Sequence, residues 1–398
     1  MKGKLIHIVG GGMNQLPAVR TAKSLGLRVL VTDMFPDPPC REEADFFQQI
    51  DVTNKVGTLE AAMSFGVDAV MTDQTDVAVP TVAYVAENMG LKGIGYLSAI
   101  RFTNKHTMRE IVSKSLPEHV PEFHLFETCD DAIRFIESVR NPREWVVKPI
   151  NSQGSKGVST LDPGRFGQQV THALLESRSR GILVERRISG FEYSVEAWVQ
   201  DGEVRNLAVT KKFHYPANNC IDFRNTYLGD VSPELEEVLF SLNERVIKSI
   251  GLRFGVTHAE YMVEDGKPFL IEVAARGGGG SISSVIIPFL TGFEPNKALI
   301  HCLFDEPYMP EITDYRKRFV VMKFFEFRPG VVKTLTVDAE RMAGLIVFQL
   351  DLKPGDQIRD VRDSRDRVGY FVVGADSAQE ALRLERAVED SVFIEYED

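Results

Sequence analysis

Residues 146–158 read Val146-Val147-Lys148-Pro149-Ile150-Asn151-Ser152-Gln153-Gly154-Ser155-Lys156-Gly157-Val158. A short apolar run reads as a strand that delivers a lysine, and a turn of small residues follows. Gly154 and Gly157 carry no side chain, so backbone N–H groups there can approach a phosphate closely. Lys148 adds a fixed positive charge. The spacing is not GxxxxGK[ST], and no helix pattern opens directly after it, so this is not a Walker loop. A plain hairpin loop is the bland alternative, and the residues further along weigh against it.

Next comes Ile182-Leu183-Val184-Glu185, then the connection Arg186 to Gly190, then Glu192. A strand running into a short connection can offer backbone groups to an adenine edge, and a carboxylate seven residues on can take a ribose hydroxyl pair. Taken alone, a surface carboxylate is the default reading. An acidic hairpin follows. Glu260 lies in His258-Ala259-Glu260-Tyr261, and Glu272 lies in Phe269-Leu270-Ile271-Glu272-Val273. Asp265-Gly266 suits the tight turn between them, which sets the two carboxylates on adjacent strands. Carboxylates that close repel unless a cation sits between them, and Mg²⁺ prefers a few carboxylates plus phosphate oxygens. A solvated acidic hairpin is the alternative. Arg276 and the run Gly277-Gly278-Gly279-Gly280-Ser281 come directly after. Four glycines cost backbone entropy and make sense where backbone lies against a ligand; a flexible loop is the alternative. Arg276 can fork onto a phosphate or carboxylate.

Residues 4–9, the glycine turn Gly10-Gly11-Gly12, a helix over 15–25 and a strand ending at Asp33 form a βαβ unit. Further α/β alternation predicts a Rossmann-like, doubly wound domain over 1–100. Strands and loops are expected from 145 to 215, a helix from Pro233 to Ile250, and a final helix near Ser377 to Glu389. The expected division is 1–100, 101–310 and 311–398, an α/β part followed by α+β parts.

The chain has 398 residues, enough for two or three domains, with 43% hydrophobic and 26% charged residues. A net charge of −11 argues against nucleic acid or an anionic membrane as partner. The cysteines Cys40, Cys129, Cys220 and Cys302 are far apart, which points away from a zinc site and toward a reducing cytoplasm. Met1 leads straight into a strand without a signal-peptide layout. No apolar run reaches the ~20 residues of a membrane helix.

In this order the residues resemble the ATP-grasp superfamily, especially its carboxylate–amine ligases of amino acids and peptides. The resemblance covers the whole chain and implies an N-terminal Rossmann-like domain, a two-lobed ATP-grasp domain and a small C-terminal α+β domain. It implies that Lys105 (in Thr103-Asn104-Lys105-His106) and Lys148 hold the nucleotide phosphates, with the loop Gly154, Ser155, Gly157 and Val158. Glu185, Arg187 and Ile188 would meet adenine, Glu192 the ribose, and Lys211 or Lys212 a further phosphate. Glu260 and Glu272 would hold Mg²⁺, with Mn²⁺ as a substitute. Arg276 and Lys148 would be catalytic, and His258, Arg276, Gly278 and Gly279 would face the substrate; for His258 a structural role is the alternative. Many members carry Asn two residues after the second metal glutamate, where this chain has Ala274.

The implied reaction joins a carboxylic acid and an amine through an acyl phosphate, releasing ADP and phosphate. Two other readings stand beside it. Gly10-Gly11-Gly12 with Asp33 imitates a dinucleotide fingerprint, as in an NAD-dependent oxidoreductase, although Gln15 replaces its third glycine. A bicarbonate-using carboxylase or carbamoyl-phosphate-type enzyme keeps the same site, but the chain shows no duplicated half and no biotin-carrier segment. The expected assembly is a homodimer. Arg359, Arg362, Arg365 and Arg367 are candidates for an anionic substrate or for a solvated basic face.

Overall fold

The computed structural model describes residues 1–397 except 217, 228, 309–311, 313, 314, 316, 317 and 343. The N-terminal part runs β1 (Leu5–Val9), α1 (Leu16–Ser24), β2 (Arg28–Asp33), β3 (Phe46–Gln49), α2 (Lys55–Phe65), β4 (Ala69–Met71) and α3 (Val79–Met89). Its strands pair in parallel in the order β3-β2-β1-β4. The buried, β-branched run of β1 suits a strand covered on both faces. Chain direction around the sheet reverses at β1, so a crevice opens beyond the ends of β1 and β4. Gly12 to Gln15 and Gln74 emerge there.

Two helices lead onward, α4 (Tyr96–Thr103) and α5 (Lys105–Ser115). Helix α4 spans residue 100, where the sequence placed a boundary. Asn104 ends α4 and caps α5, accepting from the Thr107 N–H at 3.0 Å.

The smaller lobe contains β5 (Phe123–Phe126), α6 (Cys129–Ser138), β6 (Trp145–Pro149), β7 (Ser159–Thr160), α7 (Phe166–Glu176) and β8 (Ile182–Arg186). Its antiparallel sheet runs β5-β8-β6-β7, with α6 and α7 packed on it through Ile136, Val170 and Ala173. Strands and loops make up most of 145–215, as expected, with helix α7 among them. Its N-cap Arg165 makes no side-chain cap, and Gly167 and Thr171 are weak helix formers, so local signals hid it.

The large lobe is built on β9 (Phe191–Gln200), β10 (Glu203–Tyr215), β11 (Asn218–Tyr227), α8 (Pro233–Ile250), β12 (Gly255–Glu264) and β13 (Lys267–Ala274). Ser232 caps α8 and left-handed Gly251 ends it. Leu242, Val246 and Ile250 of α8 share one core with Val195, Val199 and Tyr261. After the glycine run come a π-helical turn at Ile282–Ile286, α9 (Ile287–Thr291) and α10 (Pro295–Leu303).

The C-terminal part adds β14 (Phe319–Phe324), β15 (Gly330–Val337), β16 (Leu345–Leu350), β17 (Gln357–Ile358), β18 (Gly369–Ala375), α11 (Ala378–Glu389) and β19 (Val392–Tyr396). The expected boundary at 310/311 lies outside the described residues. Strands β14, β18 and β16 extend the large sheet, whose order is β13-β12-β9-β10-β11-β14-β18-β16, while β17-β15-β19 form a small separate sheet. Phe371, fully buried, packs with Val373, Leu384 and Val388 between sheet and α11. Arg224 of β11 makes two bonds to Glu385 of α11, at 2.7 and 2.9 Å. Phe371→Ala should therefore cost about 3–5 kcal/mol in stability, read by denaturant unfolding. A loss below 1 kcal/mol would contradict this packing.

Candidate active site

The site begins with strand register. In the pairing of β12 with β13, Glu260 lies opposite Glu272, and on its other side it lies opposite Ser194 of β9. Directly opposed residues share a sheet face, so both carboxylates face one cleft. Each is held by a cation. Lys105 Nζ lies 2.7 Å from Glu272 Oε1 and donates to the Ser152 carbonyl at 2.9 Å. Lys212 binds Glu260, and Glu192 at 2.7 Å. His258 donates to Glu196 and sits 3.3 Å from Glu260. Burial opposes the charged form of His258, but Glu196 and then Glu260 outweigh it and lift the imidazole to about 9. Burial would raise the Glu260 carboxyl, yet Lys212 and His258 hold it well below its ordinary value.

Lys148 is delivered by β6 as expected, and it is buried. Its Nζ lies 2.5 Å from Glu185, whose other oxygen takes Arg109 Nε at 2.8 Å. Burial works against both charges here. It wins at Lys148, whose pKa is lowered despite Glu185, and loses at Glu185, which Arg109 and Lys148 keep below its ordinary value. Glu185 is 1% exposed, so its side chain is a buried counter-ion. Past it, Ser189 N–H and Arg186 both bind Glu264, fixing the connection that carries Arg187 and Ile188.

The loop 152–158 turns through three left-handed residues, Gly154 (φ 68°), Ser155 (φ 58°) and Gly157 (φ 72°). Gln153 accepts from Asp76 N–H at 2.8 Å, and Ser155 Oγ donates to the Cys220 carbonyl at 2.8 Å. Gly154, Ser155 and Val158 line a cavity of about 560 Å³ together with Lys105, Lys148, Arg187, Ile188, Glu192, Glu260, Glu272 and Arg276. Gly157 instead packs against Pro149 and Ala173. A second cavity of about 550 Å³ adjoins it and shares Lys156, Lys212, His258, Glu260 and Arg276. Its further walls are Asn14 and Gln15, Gly279 to Ile282 without Ser281, and Met322, Phe324, Asp351 and Tyr370. Arg276 forks onto Asp76 at 3.1 and 2.6 Å, which aims it at the junction of the two cavities.

Besides Gly157, two expected residues are placed elsewhere. Lys211 lines neither cavity; its Nζ stands over the rings of Phe191 and Phe213, at 4.0 and 5.2 Å. Neighbours in a strand point to opposite faces, and Lys212 takes the cleft side. Gly278 donates its N–H to Glu196 at 3.4 Å, behind His258, and only Gly279 of the expected pair reaches the second cavity. At the imitation dinucleotide turn Asp33 accepts from Gly11 N–H at 2.8 Å and Phe35 N–H at 2.9 Å, and Gly10, Gly12 and Asp33 line a separate cavity of about 310 Å³. Sequence reasoning passed over Asp76, Arg109, Glu196 and the cavity role of Tyr370. Asp76 follows a parallel strand at the reversal of the sheet, a signal that was there to use.

A divalent ion fits this donor set in one way. No cluster of three or more His, Cys, Asp or Glu side chains able to hold a metal occurs among the described residues. Glu260 and Glu272 supply carboxylate oxygens on one face, and Ala274 supplies none. Such a pair suits Mg²⁺ that takes its remaining ligands from phosphate and water.

Comparison with known proteins agrees with this geometry. Residues 142–285 match the model of an ATP-grasp domain, and residues 323–397 match L-amino acid ligase C-terminal domain 2. Dapdiamide A synthase of Enterobacter agglomerans is 27% identical over 244 residues, 58% of either chain. An uncharacterised relative from Sinorhizobium fredii is 24% identical over 78% of this chain, which spans 64% of that protein. Among solved structures, L-amino acid ligase from Bacillus licheniformis superposes with a TM-score of 0.82 at 21% identity, covering 100% of both chains. At that identity the likeness shows the fold alone.

Two outcomes follow from the charges. Glu185→Ala leaves Arg109 and Lys148 buried without their carboxylate and should cost about 3–5 kcal/mol in unfolding experiments. For His258 the folded pKa is raised from 6.5 to about 9, so its stabilising contribution is complete below pH 6.5 and is lost as pH rises through 9. Stability should fall across that window, and His258→Gln should flatten the fall; parallel curves would refute the assignment.

Proposed function

The chain belongs to the ATP-grasp superfamily, and from that premise we propose that it is an ATP-dependent carboxylate–amine ligase. One observation carries this: the carboxylate pair Glu260 and Glu272 faces the cavity that Lys105 and Lys148 also line, and Arg276 joins that cavity to a second. The first cavity takes ATP, with Ile188 and the backbone around Glu185 and Arg187 at the base and Glu192 at the ribose. Lys105, Lys148 and the loop amides hold the phosphates. Glu260 and Glu272 would hold Mg²⁺, which supplies charge neutralisation at the β- and γ-phosphoryl oxygens.

The second cavity takes the carboxylic acid. Its carboxylate attacks the γ-phosphoryl group, ADP leaves, and the amine then displaces phosphate from the acyl phosphate. No covalent enzyme intermediate is needed, since positioning and electrostatics carry the reaction. Arg276, oriented by Asp76, steadies the phosphoryl and carboxylate oxygens between the cavities. Of Lys211 and Lys212, Lys212 takes the further phosphate role. In this reading the chain divides into 1–100, 101–310 and 311–398, acts in the cytoplasm and forms a homodimer. No helix among the described residues is long and apolar enough to cross a membrane.

Screening pools of acids against pools of amines for phosphate release tests the proposal. ADP should form only when an acid and an amine are both present. Glu272→Ala should lower turnover by at least about a hundredfold, the usual scale for losing a group that stabilises transition-state charge. ADP formation that needs only bicarbonate, or full turnover in Glu272→Ala, would overturn it.

A further inference from the structure

We propose that the C-terminal segment Arg362–Arg367 is a latch on the loop 152–158, and that Ser364 and Arg365 are positioning residues for that loop. The proposal rests on reading 152–158 as the phosphate loop. The segment is first rigid within itself. Asp363 accepts from the Arg365 N–H at 2.9 Å and takes its guanidinium at 2.9 and 2.7 Å. Arg362 is tied to Asp366 at 3.0 Å through Nε.

The segment then reaches three separate parts of the molecule. Ser364 N–H donates to the Gly154 carbonyl at 3.4 Å, at the crown of the loop. Arg365 Nη2 reaches Glu176, at the end of α7 in the smaller lobe, at 3.4 Å. Arg367 Nη2 donates to Asp222 Oδ1 of β11 at 2.6 Å, and Asn218 of the same strand donates to the Arg362 carbonyl at 3.1 Å. Both lobes and the loop are therefore joined through one short stretch of the C-terminal part. Gly154 is needed here twice over. Its backbone is left-handed, and a Cβ there would strike Ser364 Oγ. The loop and the latch are shaped to each other.

The physical chemistry suits a reversible contact. Arg365 is half exposed, and exposed ion pairs shift an equilibrium by only a few-fold. A loop that must lift to admit a nucleotide cannot be held by strong bonds, and one that must exclude water from an acyl phosphate cannot be free. Ser364 and Arg367 also line both cavities, so the same segment that holds the loop down forms part of the wall where the acid would sit.

Hydrogen exchange of the full chain, read at the amides of 152–158, tests the latch with Mg·ADP as the nucleotide probe. In Arg365→Ala and in Ser364→Pro, which removes the N–H that bonds the Gly154 carbonyl, these amides should exchange about two- to fivefold faster, with Arg365→Lys close to wild type. Glu176→Ala should give part of the Arg365→Ala effect, and adding it to Arg365→Ala should loosen the loop no further. Mg·ADP should dissociate faster by a similar factor and associate no more slowly than with wild type. Exchange unchanged at 152–158, or rising equally in α8, would overturn the latch. If the loop loosens as expected but wild type does not bind Mg·ADP, the latch stands and the phosphate-loop reading falls.

Discussion

Two carboxylates forced side by side by strand pairing govern this molecule. Register places Glu260 opposite Glu272, and like charges directly opposed destabilise a sheet. The chain answers with cations from separate elements: Lys105 at the start of α5, Lys212 from β10 and His258 from β12 itself. A second layer of anions, Glu192 and Glu196, balances those cations in turn. Charges of alternating sign thus fill a largely buried floor, where an unpaired charge would be far more costly than a paired one. The floor is already arranged for exchange. In the proposed reading a bound nucleotide would bring anions for Lys105 and Lys212, and a divalent ion would bring positive charge for the glutamates they release. Pairing is conserved through the exchange, so binding need not strand any buried charge.

Ala274 bears on the same balance. It lies on β13 opposite His258 and lines the nucleotide cavity. An oxygen donor there would face an imidazolium already held by Glu196. With alanine the floor offers two carboxylates to a metal, and the rest of the coordination falls to phosphate and water. In the proposed reading an ion there would be tied to the nucleotide more than to the protein.

What the sequence disclosed was mostly local. Helix α8 carries its own cap, its periodic apolar face and its terminal glycine, so Pro233 to Ile250 could be read directly. The Asp265-Gly266 turn marked the hairpin, but its register alone would oppose Glu260 to Ile271; a bulge between Glu260 and Tyr261, which the sequence did not show, brings Glu260 opposite Glu272. What it hid was non-local or depended on parity. Arg109 and Glu185 meet across 76 residues of chain, so no local pattern shows that Glu185 is a buried counter-ion. Lys211 and Lys212 differ by one position in a strand, and a one-residue shift selects the opposite face. The joining of β14, β18 and β16 to the large sheet rests on pairings between distant segments. Only that joining brings Met322, Phe324 and Tyr370 into the second cavity.

The two cavities are therefore built on different principles. The nucleotide cavity draws its charged groups almost entirely from Lys105 to Arg276, one folding neighbourhood of two facing sheets. The second cavity is assembled from the turn after β1, the glycine run and the last strands of the large sheet. Those segments meet only when the whole chain is folded. A change in the turn after β1 or in β18 can thus reshape the second cavity while the lysines and glutamates of the first keep their partners.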